Sequence, residues 1–301
     1  MQDDQALNQE KERREIDEAR RGEEAAATAH LSPEDRKQAH KESELRPLVI
    51  YEIIRRRGVQ ELERPRASLF WSGVAGGVAV STSVYGKAFL HGYMPDVEWK
   101  PIVTNIGYTV GFLIVILGRL QLFTENTITA VFPVLAHPTK RNIWRTARLW
   151  GLVFFANLIG CAIAALLGVV ANTAPPDKLW AALDISLHFA ENTALENILF
   201  GVPAGFFIAA IVWMLPNAKG QEFWVIFLLT YMIGLGGQTH VVAGATELFL
   251  LMFAGMLDPA TAVFRGILPT LLGNVIGGTV LFALIAYGQI KEEMEENEAA
   301  G

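Results

Sequence analysis

The chain has 301 residues, 51% of them hydrophobic, a mean hydropathy of +0.30 and a formal net charge of −6. A soluble domain rarely reads that apolar, which points to a membrane protein, and the acidic balance argues against a nucleic-acid partner. One cysteine, Cys161 inside an apolar run, excludes an intrachain disulfide and a cysteine-based metal cluster.

Residues 1–66 hold 14 of the 25 Lys+Arg and 16 of the 31 Asp+Glu. They are expected to form a solvated, partly helical cytoplasmic tail. Its first residues, MQDDQALNQEKERR, lack the apolar core of a secretory signal. Ser32-Pro33-Glu34-Asp35 reads as a helix start. PLVIYEIIRRRG (47–58) has an apolar face and a basic end. Two readings stand for it: a helix lying on the inner membrane surface, or one docked on protein.

Apolar spans follow near 67–92, 101–136, 146–171, 193–215, 222–257 and 264–287. Crossing the hydrocarbon takes about 20 apolar residues. The second and fifth runs are much longer and are interrupted, by GRLQLFTENT (118–127) and GQTHVVAGATE (237–247). Irregular backbone at membrane depth is tolerated only inside protein or along a cavity, so both breaks are candidate sites. Basic residues cluster before span one (Arg55, Arg56, Arg57, Arg64, Arg66) and between spans two and three (Lys140, Arg141, Arg145, Arg148). An even number of spans with both termini in the cytoplasm fits that bias. Residues 67–287 then form the channel domain and 288–301 an acidic cytoplasmic tail.

Three segment pairs recur in order: GVAGG (73–77) with GVPAG (201–205), FTENTITAVFPVL (123–135) with ATELFLLMFAGML (245–257), and ANLIGCAIAALLG (156–168) with GNVIGGTVLFALI (273–285). Three spans per copy make the second copy inverted in the membrane. The expected fold is therefore all-α, with six transmembrane helices in two inverted three-helix repeats and spans two and five broken. Asn157 and Asn274 stand at matching places, as buried hydrogen-bonding groups between helices. Thr124-Glu125 and Thr246-Glu247 are read as capping the short helices after the breaks, with a direct role in permeation as the alternative. His240 is either a hydrogen-bonded core residue or a group facing the permeation path. Lys87 and Arg119 lie within or near spans, and Glu191 and Glu196 mark the start of span four. There is no P-loop, nucleophile elbow or dinucleotide-binding fingerprint, so neither an enzyme nor a resident cofactor is expected.

Two broken helices, LFT at the first break, a histidine at the second, NLIG in span three and GNVIGG in span six resemble the formate/nitrite transporter family, in a divergent bacterial branch. The resemblance implies an aquaporin-like fold, a homopentamer in a bacterial inner membrane with one pore per protomer, and passage of small monovalent anions or their acids, with protons as partners. It implies that His240 is the central pore histidine, that Thr124 approaches it and that Phe123 is the neighbouring gate aromatic. Asn157 and Asn274 match the asparagines of spans three and six. Tyr108, Phe112 and Ile233 would stand near the apolar constrictions. Four departures are visible, one of them a second break longer than usual. The vestibule lysine expected before span four falls on Phe189, beside His188; an asparagine usual in span four falls near Gly205; and Glu125 puts an acid close to the anion path. Glu125 and Glu247 keep open a pore of the same fold for a cation or neutral solute. The long tail keeps open a membrane scaffold or sensor.

Overall fold

The protein is described from a computed structural model, which covers Ser32, residues 44–171 and residues 173–299. Of the helix start read at Ser32-Pro33-Glu34-Asp35, Pro33, Glu34 and Asp35 lie outside the described residues, as does most of the tail. The helices are α1 (Pro47–Glu63), α2 (Arg66–Tyr93), α3 (Lys100–Leu117), α4 (Asn126–Thr129), α5 (Phe132–Ala136), α6 (Lys140–Val169), α7 (Pro176–Glu191), α8 (Ala194–Met214), α9 (Glu222–Leu235) and α10 (Val241–Phe253). A last helix, α11, runs from Pro259–Thr261 to Leu284–Ala299, with π-helical stretches at Ala262–Ile267 and Ile276–Ala283. The helices α2, α3, α6, α8 and α11 are long and apolar enough to cross a bilayer, and α9 and α10 are shorter apolar helices.

The two long runs break in the same way. At the end of α3, Arg119 takes a left-handed φ of 52° and the Leu120 N–H reaches back to Val115 O at 2.9 Å. At the end of α9, Gly237 takes φ 62° and the Gln238 N–H reaches Ile233 O at 3.0 Å. Such a bond across a left-handed residue closes a helix and turns the chain out of it.

One asparagine then holds each released strand. Asn157 Nδ2 donates to Gly73 O (2.7 Å) and Gln121 O (2.8 Å), and its Oδ1 accepts the Phe123 N–H (2.9 Å). Asn274 Nδ2 donates to Gly201 O and Thr239 O, each at 2.9 Å, and its Oδ1 accepts the Val241 N–H (2.8 Å). The wiring is identical in the two halves. In lipid these backbone groups have no water to turn to, so each asparagine replaces the bonds the helix gave up.

This wiring corrects the pairing of the break segments. Phe123 corresponds to Val241, so Thr124-Glu125 is not the counterpart of Thr246-Glu247. Nor do Thr246 and Glu247 restart a helix: α10 already begins at Val241, capped by His240, and both lie in its interior. Thr246 Oγ1 instead meets Ser81 Oγ at 2.8 Å in the core. On the other side, Glu125 precedes α4 without a side-chain capping bond.

Gly77 lets α2 cross the Asn157 backbone, and a Cβ there would overlap Asn157 O. Gly205 does the same at Asn274, with a Cβ reaching to 2.7 Å from Asn274 Cα. Close approach of this kind is how helices associate in lipid. At position 205 the Asn274 backbone leaves no room for a side chain.

Of the two readings of α1, docking on protein is observed. Tyr51, Ile54, Gly58 and Leu62 form its buried face, with the Tyr51 ring 4.8 Å from Phe132 and 5.8 Å from Tyr287. On its outer side, Arg55 hydrogen-bonds Glu52 at 2.7 Å and pushes that carboxyl down to about 2, so the pair stays charged in mildly acidic solution. A Cβ at Gly58 would overlap Thr129 O and stand 2.9 Å from Pro133 Cγ. Gly58→Ala is expected to loosen α1 by about 1–3 kcal/mol. Amide exchange across residues 47–63 should then speed up roughly 10- to 100-fold, and unchanged exchange would contradict the docking.

Candidate functional site

The two breaks meet at one hydrogen bond. Thr124 Oγ1 lies 2.8 Å from His240 Nε2, and both side chains are buried. His240 Nδ1 accepts the Ala243 N–H at 3.3 Å as the N-cap of α10. A neutral imidazole has one donor and one acceptor. With Nδ1 accepting, the proton sits on Nε2 and is given to Thr124. The cap thereby turns a donor N–H toward the partner loop. Below Thr124, its carbonyl accepts the Thr127 hydroxyl at 2.7 Å, and Thr279 on α11 donates to Thr127 O at 2.7 Å.

Aromatic rings enclose this bond. Phe112 meets the His240 ring edge-on at 4.9 Å, and Tyr108 lies 5.3 Å from Phe112. Phe123 packs against Phe154 at 5.2 Å and Trp150 at 5.8 Å. Trp150 Nε1 in turn donates to Asn126 O at 2.9 Å, tying the ring to the break. Ile233 is fully buried in the same apolar core as Tyr108, Phe112 and Phe123. The rings and aliphatics leave the Thr124–His240 pair as the polar point in an apolar waist.

A cavity opens on each side. One, of about 500 Å³, is lined by Leu122, Glu125, Arg57, Glu61 and Arg119 among others. In it, Gln121 Nε2 donates to Glu61 of α1 at 2.7 Å, and among the described residues Glu125 Oε1 is buried without a partner. The other, of about 330 Å³, is lined by His240, Tyr108, Lys87, Gln238, Phe189 and Glu247 among others. Thr124, His240, Phe112 and Tyr108 therefore come together at the waist, whereas Glu125 and Glu247 face opposite cavities. Asn157 and Asn274 stand behind the waist as supports.

Lys87 is the residue that sequence reasoning left without a place. It shares the second cavity with Phe189, whose ring fills the space a Cβ on Gly244 would need at 2.7 Å. Lys87 thus brings an ammonium from α2 into the cavity that Phe189 lines. A signal was present: Gly73, Gly77, Val80 and Val84 form a buried stripe of α2, and Lys87 continues it at the same spacing. Gln238, also in this cavity, and Trp150 were likewise not singled out.

A model of the formate/nitrite transporter family matches residues 48–288. The chain is 38% identical over 255 residues to the inner membrane protein YfdC of Escherichia coli strain K12, covering 85% of this chain and 82% of that one. Among solved structures, one described as a pentameric formate channel with formate bound superposes with a TM-score of 0.65 at 19% identity, over 75% of this chain and 98% of that chain. A second, described as an FNT family ion channel, superposes with a TM-score of 0.72 at 17% identity, over 80% of this chain and 99% of that chain.

Proposed function

The chain belongs to the formate/nitrite transporter family, and from that premise we propose that it passes small monovalent anions in proton-linked form, as formate-like or nitrite-like weak acids. The family and its structural relatives are channels and transporters rather than enzymes. The observation that carries the reading is the buried Thr124–His240 bond between two cavities, enclosed by Phe112, Tyr108 and Phe123.

A bare anion in such a waist loses its hydration with little to replace it. Its protonated acid loses far less. A permeating acid that takes over the Nε2–H His240 gives to Thr124, and meets the Thr124 hydroxyl, finds hydrogen bonds where water is absent. Because Nδ1 is occupied by the Ala243 amide, the ring works as a fixed donor rather than as a stored charge. Phe123, Phe112, Tyr108 and Ile233 narrow the path; Glu125 and Glu247 face its two mouths.

The assembly we propose is a homopentamer in the bacterial inner membrane with both termini cytoplasmic. Large apolar side chains on the outside, such as Trp71, Trp144, Phe155, Phe264 and Ile285, fit contact with lipid and neighbouring protomers. The cavity that holds Arg57 and Arg119 is then the cytoplasmic one. The competing reading, a cation pore, is favoured by Glu125 and Glu247. Current recording in planar bilayers, beside liposome uptake of the weak acids, separates the two. Formate and nitrite are expected to move while sodium carries no current; a sodium-selective current without weak-acid movement would overturn the proposal.

A further inference from the structure

The cavity on the Lys87 side holds three polar groups whose bonding capacity the protein leaves unused. Among the described residues, Lys87 Nζ makes no ion pair or hydrogen bond, and its nearest aromatic face is Tyr108 at 6.0 Å. The Glu247 carboxyl likewise has no hydrogen-bond partner, and its residue is 8% exposed. Gln238 Oε1 is buried without a donor. All three line the same cavity as His240. An ammonium, a carboxyl and an amide oxygen with unused bonding capacity beside an apolar waist are costly unless a third party completes them.

We infer that Lys87 and Glu247 form an acid-loading site, in which Lys87 holds the incoming monovalent oxyanion and Glu247 hands it a proton. The inference rests on the proton-linked reading above. In the transfer, the Glu247 Oε–H bond breaks and a substrate O–H bond forms. The electron pair stays on Glu247, which becomes a carboxylate facing the Lys87 ammonium. The new substrate O–H has an acceptor in Gln238 Oε1, and the neutral acid moves on to the Nε2–H of His240. Hydronium from the outer water then returns a proton to Glu247.

The other titratable groups around Glu247 are accounted for. They are His240 at the N-cap of its own helix, Tyr108 from α3 and His188 from α7, while the Cys161 thiol of α6 is turned to Val242 O at 3.3 Å. The Arg265 guanidinium of α11 is occupied by Asn192 O at 2.9 Å and Glu191 O at 2.8 Å. His91, one turn beyond Lys87, is engaged with Asp184 at 3.1 Å.

The test is initial-rate uptake of labelled formate into liposomes, with an internal pH dye, for wild type, Glu247→Gln, Glu247→Asp, Lys87→Met and Lys87→Arg. Losing a positioned proton donor is worth about 10²-fold in rate. Glu247→Gln should therefore lower the maximal rate by about that factor while KM stays or falls, and Glu247→Asp should retain transfer. Losing the holding charge without the donor removes binding alone. Lys87→Met should thus raise KM about 10-fold with the maximal rate kept, and Lys87→Arg should restore KM. Wild-type KM and maximal rate in both Glu247→Gln and Lys87→Met would overturn the inference alone. If Glu247→Gln does not assemble, the Lys87 pair decides by KM. Absence of weak-acid uptake in wild type would bring down the underlying reading, and the inference with it.

Discussion

Replacing His240 with leucine is expected to cut weak-acid flux by about 10²-fold or more, the size of effect seen when one buried, pre-aimed donor is removed from the place where charge must be stabilised. Leucine keeps the bulk that Phe112 packs against but removes both ring nitrogens. Two consequences follow from the hydrogen bonds at 2.8 Å and 3.3 Å. The Thr124 hydroxyl loses its partner in the waist, and α10 loses its N-cap, which costs about 1 kcal/mol in stability. The two effects can be separated. His240→Asn supplies a good N-cap on a shorter side chain, so it should recover thermal stability without recovering flux. Parallel melting curves and liposome flux measure both. Wild-type flux in the leucine variant would show that the donor is irrelevant to permeation.

The second large effect is on the fold. Asn157→Leu and Asn274→Leu should each destabilise the protein by about 2–6 kcal/mol, because each leaves a buried backbone carbonyl and a buried amide without partners at about 1–3 kcal/mol apiece. For Asn157 these are Gln121 O and the Phe123 N–H; for Asn274 they are Thr239 O and the Val241 N–H. The loss falls on the very residues that aim Thr124 and His240, so flux should fall with stability. Aspartate is no remedy, since it cannot donate to the two carbonyls. Denaturation of the purified oligomer checks this. A variant with wild-type stability would mean that the released strands are held by something other than these asparagines.

Much of this was legible in the sequence, and for a physical reason. A membrane span must satisfy its own backbone, so an interruption such as GRLQLFTENT or GQTHVVAGATE announces itself against an apolar background. The same logic exposed Asn157 and Asn274, amides with no cheap place in hydrocarbon. What escaped notice depends on side-chain direction and register. The resemblance between Thr124-Glu125 and Thr246-Glu247 was one of letters; the hydrogen bonds set Phe123 opposite Val241 instead. Helix α7 was missed because a scan for spans passes over a 16-residue helix, although Pro176 and Asp177 mark its start. Lys87 was seen but not placed, since only the folded chain brings it into one cavity with Phe189, Glu247 and His240.

The central claim is that a weak acid crosses the Thr124–His240 waist together with its proton. The most direct test records formate entry and internal acidification together in liposomes holding wild-type protein, at about pH 5 and about pH 7 outside. The neutral acid grows roughly tenfold more abundant per unit fall in pH above its own pKa. The account predicts one proton taken up per formate, no net current, and markedly faster flux at the lower pH. Formate entry that carries current and leaves the internal pH unchanged would contradict it.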